Sequence, residues 1–371
     1  MGGQTAFLSR AQALVIVETV LPAADIALIR TIYNPPRARR PWMLKDALPE
    51  GACRYSSLGR WALVDALLAC GVGAGDRVLV PGLICREVLA SLSVVGATPV
   101  FYTVSRQLCA DLSSAGTGAA RAVLAVNYFG FPQDLTVFRQ YCERTGAALI
   151  EDNAHGMLSR DSEGQLLGGR GDAGIFSFRK TIAVPDGAAV VLAGGRELAP
   201  PVREAPGRQP SPRYVIKQAF RRVAGCVDPG HVLEAIGFIR TLRRSITGDA
   251  VPVSPPDAET RIPVSRNPGP WVARPVSVAE PELEARRRRA LYDLAYRIAV
   301  EAGAVAVFSR VPPNAVPYGL PFFSPPAQAM KIAAVVRRHG FQLCQWPDLP
   351  SVVRRSAPEH YGQLMVLPFL W

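Results

Sequence analysis

The chain has 371 residues, of which 49% are hydrophobic and 19% are charged, a composition typical of globular proteins that excludes a disordered one. No stretch of about 18 uncharged apolar residues occurs, which argues against a membrane-spanning helix. The apolar run over 11–29 also lacks the basic start of a signal peptide. The net charge is +12, yet the basic residues are spread along the whole chain, so we expect no nucleic-acid groove.

The seven cysteines are scattered along the chain, and none of them forms a C-x-x-C pair. A disulfide framework or a zinc site would need cysteines at regular spacing. We therefore predict reduced thiols in a cytoplasmic protein, with no bound metal and no membrane association.

The first part of the chain predicts an N-terminal helix, an extended proline-stiffened stretch at 34–41, and then a region of alternating elements from 55 to 192. The predicted strands of that region are 77–80, 99–102, 122–126, 147–151, 174–178 and 188–192. The predicted helices are 60–70, 86–95 and 135–145. Strands that alternate with helices at this spacing indicate a mostly parallel sheet flanked by helices.

The later part of the chain is richer in proline and arginine. We predict, in order, a surface loop at 199–214, helices at 214–225 and 231–246, a linker at 250–270, a long helix at 280–302, strands near 304–308 and 316–322, and a helix at 326–339. Four arginines at 286–289 fall inside the long helix, and we interpret them as a solvated face, because four successive helical residues point in four directions. These elements suggest an N-terminal segment (1–45), a large domain (46–250) and a small C-terminal α/β domain (251–371).

The stretch 56–60 reads Ser-Ser-Leu-Gly-Arg and opens the predicted helix at 60–70. A turn of small residues at a helix N-terminus presents free backbone N–H groups to a phosphate. The alternative interpretation is an ordinary helix N-cap.

Two further stretches end predicted strands. Asp152, within Glu-Asp-Asn-Ala-His at 151–155, lies at the sheet edge where α/β proteins bind ligands, although it could simply cap the next turn. Lys180 follows 28 residues later; burial would lower its pKa and make its neutral amine nucleophilic, whereas a lysine reaching solvent would stay charged. A phosphate-ready helix start, an acid and a lysine are together the parts of a pyridoxal phosphate site, in which the acid keeps the pyridine nitrogen protonated.

The order of these stretches resembles the DegT-type (DegT/DnrJ/StrS) sugar aminotransferases, a family of pyridoxal-phosphate-dependent transferases with the aspartate aminotransferase fold, fold type I. The similarity covers about two-thirds of the chain and is densest from about 53 to 192. The matching stretches are 75–81, 96–101, 127–132, 151–155 and 171–178, with looser matches at 316–318, 339–341, 346–347 and 367–368.

This resemblance implies roles for individual residues. Lys180 would be the Schiff-base lysine, and Asp152 would bind the pyridine nitrogen. His155 would lie near the phenolic oxygen or the phosphate of the cofactor. Ser177 and the turn at Gly59 and Arg60 would bind the phosphate, and Cys85 would stand where many members stack an aromatic side chain on the ring.

The chain departs from the family pattern at several points. Lys180 comes three residues after Ser177, where the family usually has about five, and Arg60 replaces a phosphate-binding threonine. The segment that reaches into the neighbouring subunit in the family has no convincing match between 200 and 260.

The resemblance predicts an α/β protein, expected to be a homodimer, that transfers an amino group from a donor such as glutamate to a keto-sugar. The keto-sugar is expected to be nucleotide-linked, and the reaction to belong to polysaccharide or natural-product biosynthesis. Two alternatives stay open. One is a pyridoxal phosphate enzyme of the same fold with a different reaction, such as dehydration or a natural-product condensation. The other is a non-catalytic relative that acts as a binding or assembly protein.

Overall fold

The computed structural model describes residues 21–32, 37–116, 118–200, 255–278 and 280–369. Its α-helices are α1 (Ala23–Arg30), α2 (Gly59–Ala69), α3 (Leu89–Val95), α4 (Thr136–Thr145), α5 (Pro281–Glu301), α6 (Pro326–Arg338) and α7 (Ser351–Arg354). Its strands are β1 (Arg37–Trp42), β2 (Ala52–Ser56), β3 (Arg77–Pro81), β4 (Thr98–Val104), β5 (Ala110–Asp111), β6 (Ala122–Val126), β7 (Ala148–Asp152), β8 (Ala173–Ser177), β9 (Ala188–Leu192), β10 (Val276–Val278), β11 (Val305–Ala306), β12 (Gly319–Phe323), β13 (Cys344–Gln345) and β14 (Leu364–Pro368).

The central sheet has eight strands in the spatial order β2-β9-β8-β7-β6-β3-β4-β5. The five neighbours from β8 to β4 run parallel, and the remaining three strands pair antiparallel. Strands β6 to β9 are buried at every residue, as expected for a sheet covered on both faces. The predicted fold class, α/β with a mostly parallel sheet, is confirmed.

The predicted elements between 55 and 192 all have counterparts, and apart from the helix at 86–95 their ends differ by at most two residues. One helix differs in kind: the predicted helix at 86–95 is a 3-10 turn at Arg86–Val88 followed by α3. The sequence analysis did not find the antiparallel edge strands β2 and β5, which are short and lie outside the regular alternation.

The carboxyl ends of the parallel strands meet at one edge of the sheet. Strand β7 ends at Asp152 and β8 ends at Ser177, while α2 begins at Gly59 beside them. This edge is where open α/β sheets hold their ligands, so the fold brings the predicted site residues to a single place.

The C-terminal part contains a four-stranded antiparallel sheet, β11-β12-β14-β13, against which α5 packs, and α6 packs against α5. Apolar side chains of α5, α6 and this sheet join those of the central sheet in one continuous core. None of the described helices combines the length and the apolar composition that crossing a membrane requires. The predicted domain limits at 45 and 250 stay predictions.

The predicted linker at 250–270 is wrong for its described part, 255–270, which is bonded to α2 and the turn before it. Ser57 donates its backbone N–H to the carbonyl of Arg266 (2.8 Å), and the Trp61 indole donates to the carbonyl of Val264 (2.9 Å). The predicted helices at 214–225 and 231–246, and most of the predicted loop at 199–214, lie outside the described residues.

The arginine run at 286–289 is not a solvated face. Arg286 is exposed, but Arg287 and Arg288 are buried, because both pair with the buried carboxylate of Glu284 on the inner face of α5. Residues three and four positions apart share one face of a helix. The spacing from Glu284 to the two arginines was therefore the signal that the sequence analysis missed.

Candidate active site

A cavity of about 260 Å³ lies at the carboxyl edge of the central sheet. All seven predicted site residues line it: Gly59, Arg60, Cys85, Asp152, His155, Ser177 and Lys180. A larger, more open cleft of about 520 Å³ is lined by 132–136, 160–163 and 312–314, among others, and contains none of these residues. The residues that the sequence predicts to bind the cofactor or to act in catalysis therefore all lie around the smaller cavity.

Strand β7 sends its last two carboxylates to opposite faces of the sheet. Asp152 lines the cavity, whereas Glu151 does not. Glu151 instead accepts hydrogen bonds from the Arg170 side chain (2.7 Å and 3.0 Å), from the Arg170 backbone N–H (2.6 Å) and from the Asn127 amide (3.1 Å). Alternation along a strand thus separates a saturated acid from one that faces a ligand space.

The carboxylate of Asp152 is buried, but only one of its two oxygens accepts a hydrogen bond from the described residues. Its Oδ1 accepts a hydrogen bond from the backbone N–H of Ala154 (3.0 Å), so the turn-capping interpretation holds for that atom. No residue in the described ranges donates a hydrogen bond to its second oxygen. Burial raises the pKa of Asp152, against the opposing effects of Lys180 and of the Ala154 hydrogen bond. Such a carboxylate would gain from a cationic partner in the cavity.

Lys180 ends a 3-10 turn, Phe178–Lys180, that directly follows β8. Its Nζ lies 3.1 Å from Nε2 of His155. Burial lowers the pKa of Lys180 and the neighbouring Arg179 lowers it further, while Cys85, Asp152 and Glu87 act in the opposite direction. The net result favours a neutral amine.

The hydrogen bonds of His155 lead independently to the same conclusion. The backbone N–H of Phe129 donates to Nδ1 of His155 (3.3 Å), so this nitrogen is the acceptor of a neutral imidazole and Nε2 carries the proton. The Nε2–H group then donates to Nζ of Lys180, which requires a free electron pair on the amine. Burial, Lys180 and Arg288 all lower the pKa of His155 well below its ordinary value, which keeps the ring neutral.

An aromatic stack holds the imidazole in place. The ring of His155 is stacked with Phe129 (centroids 5.5 Å apart) and with Tyr318 (4.3 Å), and the Trp346 ring contacts it edge-on at 5.8 Å. Phe129 has a left-handed backbone with φ of 54°, a conformation that is costly outside glycine and is concentrated at functional sites. Two residues of the C-terminal part, Tyr318 and Trp346, thereby form a wall of the cavity.

Positive charge collects where α2 begins. A Cβ placed on Gly59 would lie 3.9 Å from Cβ of Ser177, so the helix start and the end of β8 are adjacent. Arg60 and Arg179 both line the cavity, and burial and the charge of Arg179 lower the pKa of Arg60, whereas Glu87 raises it. Two guanidinium groups beside a helix N-terminus form an environment that attracts an anion.

Cys85 contributes a small apolar surface and not a reactive thiolate. Burial raises the pKa of its thiol to about 12, although Lys180 opposes this shift. Within the described residues, no three His, Cys, Asp or Glu side chains come together as a metal site would need.

The sequence analysis missed several residues that bear on the site. Tyr318 and Trp346 fall within stretches that were matched only as landmarks, and Glu87 was given no role, although all three line the cavity. Arg288 was assigned to a solvated face. The i, i+4 spacing from Glu284 could have identified Arg288, whereas nothing local in the sequence marks the other three as neighbours of Lys180.

Comparison with protein families gives a match to the DegT/DnrJ/EryC1/StrS aminotransferase family over residues 56–200. Two similar curated proteins are L-glutamine:2-deoxy-scyllo-inosose aminotransferases. The one from Streptomyces kanamyceticus is 36% identical over 149 residues, or 38% of this chain and 34% of that protein. The one from Streptoalloteichus tenebrarius is 36% identical over 141 residues, or 36% of this chain and 32% of that protein. The chain thus spans about a third of the length of the curated relatives that it matches.

Solved structures share the fold over most of the chain. A DegT DnrJ EryC1 StrS aminotransferase from Brucella abortus gives a TM-score of 0.55 at 17% identity, covering 88% of this chain and 83% of that one. A putative sugar aminotransferase from Streptococcus pneumoniae, solved in its PLP form, gives 0.54 at 14% identity, covering 95% and 92%. These likenesses confirm the predicted transferase fold. The match to the DegT/DnrJ/EryC1/StrS aminotransferase family spans residues 56–200, and this range includes all seven predicted site residues.

Proposed function

We propose that this chain binds pyridoxal 5'-phosphate at the carboxyl edge of its central sheet and transfers an amino group from an amino acid to a sugar-like ketone. The observation that carries the proposal is the environment of Lys180. Its amine lines the same cavity as Asp152 and lies within hydrogen-bond distance of His155, and burial lowers its pKa in the direction of the neutral form. A neutral amine is what condensation with an aldehyde requires.

The residues fit the cofactor at both of its charged ends. The second oxygen of Asp152 lacks a donor in the described parts of the chain, and a protonated pyridine nitrogen would supply one together with a positive charge. At the other end, Ser177 and the Gly59 helix start, with Arg60 and Arg179, would hold the phosphate. Arg60 in place of the family threonine changes a neutral donor into a charged one, which preserves anion binding.

The short spacing between Ser177 and Lys180 is compatible with this assignment. Because the intervening residues form a 3-10 turn, Lys180 leaves β8 almost at once, and its Nζ still reaches His155. The longer spacing that is usual in the family is therefore not needed for Lys180 to reach the cavity. The wall beside Cys85 differs more from the family, since the aromatic rings of the cavity, Tyr318 and Trp346, belong to the C-terminal part.

When bound, the cofactor supplies an aldehyde that links to amines and a ring that withdraws electrons from the carbon next to the linked nitrogen. Lys180 offers the only amine among the described residues of the cavity, so its Nζ is the base that takes the proton from Cα of the amino donor and returns it later. His155 holds Nζ in place through its Nε2–H. Asp152 would hold the proton on the ring nitrogen.

For the substrates, the curated relatives carry names that specify L-glutamine and 2-deoxy-scyllo-inosose, a sugar-like ketone. We infer a polyhydroxylated cyclic ketone as acceptor. A nucleotide-linked keto-sugar would suit the excess of arginine, and glutamate is the alternative donor. A homodimer, a cytoplasmic location and a role in polysaccharide or natural-product biosynthesis belong to the same proposal.

The decisive experiment maps the lysine that the cofactor modifies. The protein is mixed with pyridoxal 5'-phosphate, reduced with borohydride and digested, and the labelled peptide is identified. We expect label on Lys180 and none after Lys180→Arg, whereas Lys331→Arg, which changes an exposed lysine of α6, should label like the parent chain. Label on Lys45, Lys217 or Lys331 only, or no label, would refute the proposal.

The reaction is then tested with the unreduced protein. Addition of glutamine or glutamate should remove the absorption of the lysine-bound cofactor, and a keto-sugar or ketocyclitol should restore it with formation of an amino product. Loss of a hydroxyl group from the acceptor without amination would instead identify the same-fold alternative. A protein that binds the cofactor but never responds to a donor would support the non-catalytic alternative.

A further inference from the structure

Arg288 is fully buried and is not itself one of the residues that line the cavity. Glu284, one turn earlier in α5, accepts a hydrogen bond from its Nε and two more from Arg287. The carboxylate is therefore shared, and it would keep a bidentate partner if Arg288 were replaced. Burying an arginine is expensive unless every donor has a partner, so the remaining contacts of Arg288 are informative.

Two of these contacts reach the turn that carries Lys180. Nη2 of Arg288 donates to the carbonyl of Lys180 (3.0 Å) and to the carbonyl of Thr181 (3.1 Å). Within the turn itself, the N–H groups of Thr181 and Ile182 both bond the carbonyl of Phe178. The carbonyls at the end of a short helix have no partner inside it, and Arg288 supplies both of them with one.

The third contact reaches the opposite wall of the cavity. Nη1 of Arg288 donates to the carbonyl of Pro317 (3.3 Å), and the next residue is Tyr318, whose ring stacks on His155. The charge of Arg288 is also one of the causes that lower the pKa of His155. A single guanidinium thus touches the backbone on both sides of the Lys180–His155 pair.

We propose that Arg288 is a positioning residue for Lys180: by bonding the carbonyls of Lys180, Thr181 and Pro317, it fixes the amine against His155 at the distance where it accepts the imidazole N–H. The proposal rests on the proposed function, because it takes Lys180 as the residue that links to the cofactor. The planar guanidinium is essential to it, since no other side chain reaches three carbonyls and a carboxylate at once.

The test measures how trapping of the cofactor on Lys180 by borohydride depends on pH in the full chain. In Arg288→Met, the turn loses both carbonyl partners and the Lys180 amine gains access to water, so its pKa should return toward the ordinary range. The midpoint of trapping should move upward by at least one pH unit, which means about tenfold less trapping at neutral pH. Glu284 keeps Arg287 in this variant.

Two companion variants separate positioning from stability. Arg289→Met is the matched control, because among the described residues Arg289 bonds the carbonyl of Ala315 (3.0 Å) and none of the carbonyls that Arg288 holds, so this variant should trap like the parent chain. Arg288→Lys keeps the charge but offers a point donor in place of a fork, and it should restore the midpoint only in part.

The outcomes are distinct. If the parent chain is labelled at Lys180 and folded Arg288→Met or Arg288→Lys shows the parent midpoint with only a lower melting temperature, Arg288 is merely structural and the inference is overturned. If Arg288→Met does not fold, the midpoint of Arg288→Lys decides in the same way. A parent chain without label on Lys180 refutes the proposed function instead, whatever the variants do.

Discussion

Glu151 and Asp152 are consecutive carboxylates at the end of one buried strand, yet their surroundings differ sharply. On one face of the sheet, Glu151 receives four hydrogen bonds from Arg170 and Asn127. On the other face, Asp152 receives one, from the backbone of Ala154, and burial raises its pKa. Both residues are buried, with Glu151 0% and Asp152 8% exposed, so a difference in burial does not explain the difference in hydrogen bonding.

This difference in hydrogen bonding indicates different roles: Glu151 stabilises the fold, whereas Asp152 is available to bind a ligand. When a buried charge has all its partners, their attraction offsets much of the free energy that its burial costs. Removal of one partner leaves the other charge buried and unpaired, which destabilises the fold strongly. A buried charge that lacks partners is held at the expense of stability, as functional sites often are. The two faces of β7 should therefore respond in opposite directions to substitution.

The largest effect is expected on the saturated face. Arg170→Met leaves the Glu151 carboxylate buried without its ionic partner and should lower the free energy of unfolding by about 3–5 kcal/mol, measured by urea denaturation. Arg196→Met is the control, because its pair with Asp172 is about one-third exposed on each side and should matter by about 1 kcal/mol or less. Equal losses in the two variants would break the comparison.

An intermediate effect comes from His155 on the ligand face. Its pKa is lowered in the fold chiefly by burial and also by the charge of Arg288, so below about pH 6.5 the unfolded chain binds a proton that the folded chain does not. Stability from this group is complete above that pH and is lost as the pH falls, by at most about 1.4 kcal/mol per pH unit. His155→Gln should flatten this slope between about pH 6.5 and 5, measured by urea denaturation at each pH. An unchanged slope in His155→Gln would contradict the assignment.

The smallest change in stability, of opposite sign, is expected for Asp152→Asn. Burial raises the pKa of Asp152 in the folded chain, so the folded protein loses stability as the pH rises and this carboxyl group ionises. A neutral amide at this position should therefore make the cofactor-free protein more stable at neutral pH by on the order of 1 kcal/mol. The same variant should keep cofactor binding but lose most of its turnover, since an amide cannot hold the ring nitrogen protonated. A less stable or fully active variant would argue against the role given to Asp152.

Much of the central sheet could be predicted because its strands are short apolar runs separated by helices. Their ends, including Asp152 and Ser177, follow from where each run stops. The position of Lys180 after β8 followed from the same logic. Periodicity and turn chemistry act over a few residues, so these features were accessible from the sequence.

The remainder depends on contacts between distant parts of the chain. The pairing of β1 with β10, the packing of 255–270 on α2 and the approach of Tyr318 to His155 each join residues more than a hundred positions apart. Arg288 is the clearest case, because the run of four arginines at 286–289 gave the pattern of a charged surface, while two of its partners are the carbonyls of a turn 107 and 108 residues earlier. Only the folded structure brings those partners together.

The placement of the lysines has a consequence for chemical selectivity. The chain has four lysines, of which Lys45 and Lys331 are exposed and Lys180 lines the cavity. Aldehydes condense with uncharged amines, and an arginine side chain stays protonated under all ordinary conditions. A chain that carries its positive charge almost wholly on arginine therefore offers a carbonyl compound few competing amines, and the Lys180 amine, whose pKa burial lowers, is favoured among them.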